Sequence, residues 1–104
     1  MSDPLEASVP YRVIYSGRAL NRFRALVAQA QPLGLAAELL AAGREMDRRL
    51  RTYPQFGDPL QDLTFIKGQL RIAAIPPLVV RYVLDEENRL VIVLSPLSLS
   101  KRGR

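Results

Sequence analysis

Lys67, Arg71 and Arg81 are the side chains whose type and spacing best suit chemistry. A strand-borne guanidinium can grip a phosphate with two parallel N–H bonds, and an ammonium beside it adds a point charge, so the three would form a phosphate-binding cluster. The alternative is a solvated or salt-bridged surface, with Arg71 or Arg81 paired to an acid on a neighbouring strand. Arg44, Arg48 and Arg51 lie on the back of an apolar helical stripe, where water satisfies them unless RNA or an acidic protein docks there. Lys101, Arg102 and Arg104 end the chain as a basic tail suited to nonspecific attraction to nucleic acid, and Lys101 and Arg102 count as further RNA-binding candidates. Asp85, Glu86 and Glu87 are adjacent acids in a tight connection, a pattern of turn chemistry, so no metal site is expected there.

Composition narrows the chemistry further. The chain has no His and no Cys, which excludes a Ser-His-Asp triad, a Cys-His pair, His- or Cys-ligated zinc and disulfides. Any catalysis must use Tyr, carboxylates, Lys, Arg or hydroxyls. A formal net charge of +5 makes an anionic partner plausible, with nucleic acid ahead of a membrane surface. The opening MSDPLEASVP has acids and prolines where a signal peptide needs a basic end and an apolar run, and no apolar run is long enough to span a bilayer. The expectation is a soluble, cytoplasmic protein with no membrane partner and no cofactor.

The elements that must position these residues follow from periodicity. A length of 104 residues allows one small domain with a single core. Residues 1–10 read as a flexible lead, 11–99 as the domain and 100–104 as the basic tail. Tyr11, Val13 and Tyr15 alternate with Arg12 and Ile14, the mark of a strand, and Ser16 stands where a helix N-cap belongs. Over 18–31, Leu20, Phe23, Leu26, Val27 and Ala30 fall at helical spacing; Pro32 and Gly34 interrupt, and a second stripe of Leu35, Leu39, Ala42, Met46, Leu50 and Tyr53 follows. Gly43 inside that second helix weakens it by about 1 kcal/mol relative to Ala. Residues 54–68 read as a loop anchored by Leu60 or Leu63. Residues 70–75, 78–84 and 90–94 read as three strands, broken by Pro76-Pro77 and by the acidic hairpin connection. Val79, Arg81 and Val83 then share one face, Val80, Tyr82 and Leu84 the other, and Pro96 should stop the last strand. The expected fold is α+β, ordered β-α-α-β-β-β, with a helical hairpin packed on a largely antiparallel sheet.

Three stretches, in this order, resemble the RelE/ParE superfamily of type II toxin-antitoxin toxins. YRVIYSGRAL looks like that family's opening strand and helix start, TYPQFGDPLQDL like its loop after the second helix, and VVRYVLDEENRLVIVL like its closing hairpin. The resemblance spans 11–94 and implies one of two activities, ribosome-dependent mRNA cleavage or inhibition of DNA gyrase, with a cognate antitoxin protein as partner. The alternative is a non-catalytic domain of the same fold that binds RNA or a protein. Cleavage of this kind would need no metal: a base takes the ribose 2'-OH proton, cations steady the phosphate and an acid protonates the leaving oxygen. Carried onto this chain, the resemblance puts Arg71 in the strand of the family's basic residues, with Lys67 just before it, and leaves Arg81 as a substitute cation, so Arg71 and Arg81 are the catalytic candidates. Other positions depart from the family's pattern, with Ala73, Leu78 and Val79 where basic or Tyr-Arg residues are usual and Ser95-Pro96-Leu97 after the last strand. Tyr82 matches a strand tyrosine that packs more often than it reacts.

Overall fold

The computed structural model describes residues 9–63 and 67–99. Most of the lead, the 64–66 stretch and the tail, including Lys101 and Arg102, lie outside the described residues. Strand β1 (Arg12–Tyr15) runs into Ser16, whose hydroxyl accepts a 3.0 Å hydrogen bond from the Ala19 N–H and so caps helix α1 (Gly17–Ala30). A 3-10 turn at Gln31–Leu33 ends on Gly34 at φ 72°, a left-handed conformation that costs glycine nothing. Helix α2 (Ala36–Thr52) follows, braced along its outer side by ion pairs from Glu45 to Arg48 and Arg49 and from Asp47 to Arg51. The helices therefore form the expected hairpin. None among the described residues is long and apolar enough to cross a membrane.

The chain returns as β2 (Asp58–Asp62), β3 (Gln69–Ile75), β4 (Leu78–Asp85) and β5 (Leu90–Leu99). They build a five-stranded mixed sheet in the order β1-β5-β4-β3-β2, with β1 parallel to β5 and the other pairs antiparallel. The architecture is thus α+β, two helices packed on one face of a largely antiparallel sheet.

Two boundaries differ from expectation, both because proline sits where a ladder tolerates it. The 54–68 loop contains β2, which pairs Asp58 with Ile72 and Asp62 with Gln69 and bulges between Pro59 and Gln61. As an edge strand with every residue exposed it needs no apolar alternation, so its sequence carries no period-2 signal. Leu60 is 49% exposed, and the buried anchor of this segment is Pro54, in the 3-10 turn Pro54–Phe56. Likewise β5 runs past Pro96 to Leu99. Strand β1 accompanies it only through Val93, and its register with β4 shifts between Val79 and Arg81, so the missing proline N–H falls in a bulge with one neighbour.

The core lies between the helices and the sheet. Leu26, Leu39 and Leu50 meet Leu78, Val80, Tyr82, Leu84, Val91 and Val93, each such aliphatic side chain worth about 1.5–3 kcal/mol when fully buried. The stripe of α1 is turned from its expected centre: Ala19, Leu26 and Ala30 face the sheet, while Leu20 is 44% exposed. Arg22 leaves the helix to donate to the Leu97 carbonyl at 3.0 Å, tying α1 to the far end of β5.

Strand β1 is joined to α2 by the Tyr15 hydroxyl, which donates to Asp47, itself 2.8 Å from the Arg51 Nε. Burial first, and the adjacent carboxylate second, push the Tyr15 phenol well above its ordinary range. Burial works to raise Asp47 too, but hydrogen bonds from Arg51 and Tyr15 outweigh it and hold the carboxyl below its usual value. A lowered folded-state carboxyl stabilises the fold above its unfolded pKa of about 4 and loses that stabilisation as pH falls through the folded value. The raised phenol contributes fully below about 10 and progressively less above it. Urea unfolding midpoints measured against pH should accordingly show Asp47→Asn with a flatter acid limb and Tyr15→Phe with a flatter alkaline limb than the parent.

Candidate functional site

The sheet cations are best followed from the strands that carry them. On β3, Arg71 points toward the helices, opposite Tyr82 on β4. Its Nε donates to the Gly57 carbonyl at 3.1 Å, its Nη2 to the carbonyls of Gln55 at 2.9 Å and Gly57 at 2.8 Å, and its Nη1 to the Gln69 side-chain oxygen. A guanidinium so engaged binds a turn of its own chain. Tyr82, fully buried, completes the clamp: its hydroxyl donates to the Pro54 carbonyl and accepts from the Gly57 N–H at 3.2 Å. Burial raises the Tyr82 phenol above its ordinary range, the Gly57 N–H and Arg71 pulling the other way. Gly57 is glycine for want of space, since a Cβ there would collide with the Tyr82 hydroxyl and come within 2.9 Å of the Ile72 carbonyl.

Arg81 lies on the other face of the sheet, between Ile72 and Leu94 on the flanking strands. It is exposed and makes no hydrogen bond or ion pair among the described residues. This face also carries Arg12, Ile14, Val79 and Ile92, with Arg12 and Ile14 exposed, while Val83 at its other end is buried. Lys67 stands at a third place, 2.9 Å from Glu87 in a largely solvated pair of small energetic weight. The three cations therefore do not converge. Asp85 is spent within its turn, accepting from the Asn88 N–H at 3.1 Å and the Asn88 side-chain amide at 2.8 Å, and these bonds hold it below the usual carboxylate range. Of the helix cations, Arg48 and Arg51 are paired along α2, while Arg44 has no acid in contact among the described residues.

Periodicity does not reveal one concavity. A half-open cavity of about 380 Å³ lies between α1, α2 and the sheet, floored by Met46, Leu50, Leu78 and Val93 with Leu20 and Leu40 at its lip. Arg44 and the Tyr15–Asp47 pair are its polar lining. Leu20 and Leu40 are the signal, apolar residues on the water side of amphipathic helices, and Gly43 is the second. A Cβ at Gly43 would stand 2.8 Å from the Phe23 ring tip, so the helix-weakening glycine leaves room for that ring beside the cavity.

Comparison with protein-family models, with curated proteins and with solved structures finds no match to this chain.

Chemical denaturation separates the two glycines. Gly57→Ala should cost about 1–3 kcal/mol by overpacking, and Tyr82→Phe a similar amount by leaving the Pro54 carbonyl and Gly57 N–H unmet. Gly43→Ala should stay within about 1 kcal/mol of the parent, because the gain in helix propensity offsets displacing a ring that can swing into the cavity.

Proposed function

We propose that the chain is a RelE/ParE-like toxin of a toxin-antitoxin pair that acts by gripping a protein target rather than by cutting RNA. The strand, helix-pair and antiparallel-sheet order agrees with what the resemblance implies for this superfamily. The observation that carries the choice of target is the separation of the cations. Metal-free cleavage of RNA needs several charged groups on one phosphate, with a base and an acid beside them. Here Arg71 is occupied by the Gln55 and Gly57 carbonyls, Arg81 faces the opposite way, and Lys67 is engaged with Glu87. An exposed arginine with Ile72, Val79 and Leu94 as its neighbours is the pattern of a protein-binding hot spot: an apolar surround that a partner can dry and a guanidinium that adds directional bonds. Of the two activities the resemblance implies, inhibition of gyrase fits this face better than ribosome-dependent cleavage. A cognate antitoxin would silence it, in the simplest case by covering the same face.

Tightly controlled induction in bacteria, with total RNA and plasmid supercoiling followed together, tests the reading. Growth arrest with intact mRNA and relaxed plasmid is expected, and Arg81→Glu should relieve it while remaining folded. Messenger cleavage that disappears in Arg81→Ala would restore the nuclease reading. Normal growth at confirmed soluble expression would leave the non-catalytic binding domain.

A further inference from the structure

We infer that the cavity between α1 and α2 is a binding site for a small amphipathic anion, a linear apolar chain ending in a carboxylate. Its volume of about 380 Å³ falls in the range of small-molecule sites, and like them it is mainly apolar with a few polar groups at one side. Buried Met46, Leu50, Leu78 and Val93 form an apolar floor for the chain, and exposed Leu20 and Leu40 flank the entrance. Such a lip costs free energy in water and is satisfied by an apolar occupant.

The head group follows from charge. Asp47 already accepts from the Tyr15 hydroxyl at Oδ1 and from the Arg51 Nε at Oδ2, so its charge is compensated within the fold. Arg44 is the cavity-lining charge left without a partner among the described residues, and it is exposed. An ammonium head would meet only a carboxylate already compensated by Arg51, and would lie near the Arg44 charge, whereas a carboxylate would find a guanidinium able to bind both its oxygens. Gly43 is the independent sign that the space is kept: mid-helix, an alanine would suit α2 better, yet its methyl would drive the Phe23 ring toward the cavity. This site is separate from the Arg81 face, and the inference stands whether or not the chain is a toxin.

Isothermal titration calorimetry of the full chain with octanoate, octan-1-ol and octylammonium provides the test. Octanoate should bind one to one and about five- to tenfold more tightly than the alcohol, the size expected of one partly exposed charge-assisted contact. Arg44→Gln should bring octanoate to the level of the alcohol, and Arg24→Gln, a change to an arginine bonded to Asn21 on the exposed side of α1, should leave it unchanged. Gly43→Ala, checked for an intact fold by circular dichroism, should weaken octanoate and octanol alike. Equal binding of all three probes, indifference to both Arg44→Gln and Gly43→Ala, or no heat from octanoate would overturn the assignment. So would a dimer in sedimentation equilibrium that Leu40→Asp dissociates, which would make a second copy the occupant.

Discussion

The Tyr82 hydroxyl is the polar group on which the arrangement of this domain turns. It lies with no solvent contact in the middle of the sheet's covered face, where an unmet hydroxyl costs on the order of 1–3 kcal/mol. Its needs are met by one short segment, the turn that leaves α2: it donates to Pro54 and accepts from Gly57. That requirement sets where the second helix ends relative to the sheet. It also brings the Gln55 and Gly57 carbonyls to Arg71, which closes the turn from the neighbouring strand and delivers the chain to β2. A phenol, a guanidinium and a glycine thus convert a proline-rich connection into the edge of the sheet.

Much of the fold was legible because its signals are local. The Ser16 cap, the Gly34 helix break, the two helical stripes and the alternation of Val80, Tyr82 and Leu84 against Val79, Arg81 and Val83 each act within a few residues. What escaped depends on partners distant in sequence. Strand β2 is a strand only because β3 offers it an edge, and β5 continues beyond Pro96 only because β1 has stopped and β5 itself bulges there against β4. The site was less legible than the fold for a related reason. Lys67, Arg71 and Arg81 are close in sequence, but strand parity sends Arg71 and Arg81 to opposite faces, and the number of carbonyls waiting for Arg71 is a property of the turn, not of β3. The cavity was hidden because Leu20 reads as part of the first helix's apolar stripe, and Leu40 and Gly43 as imperfections in the second, until both helices are in place.

The two faces of the sheet therefore have different physics. On the covered side Arg71 is held by carbonyls and Arg51 is paired with Asp47 on α2, and the space left over is apolar with the Arg44 guanidinium in its lining. On the open face Arg81, on the central strand, makes no hydrogen bond or ion pair among the described residues and stands among apolar neighbours. Recognition by such surfaces depends on shape and on desolvating a few groups well, with net charge acting mainly at longer range. Among the described residues the cations followed above are divided between the two sheet faces, the back of α2 and the acidic turn rather than gathered in one place.

The pairing of β1 with β5 sets an order of events. Arg12 lies beside Leu90, so the first strand has its sheet partner in the last, and the intervening elements must all be made before it can dock. Closing so long a loop early would cost entropy with no contact to reward it. During synthesis, then, β1 emerges first and joins the sheet last, its Tyr15 and Val13 waiting beside helices whose floor is incomplete. For that interval the nascent chain presents unpaired strand and bare apolar helix surface to whatever surrounds the ribosome, so its yield depends on how fast the final hairpin follows as much as on the stability of the finished domain.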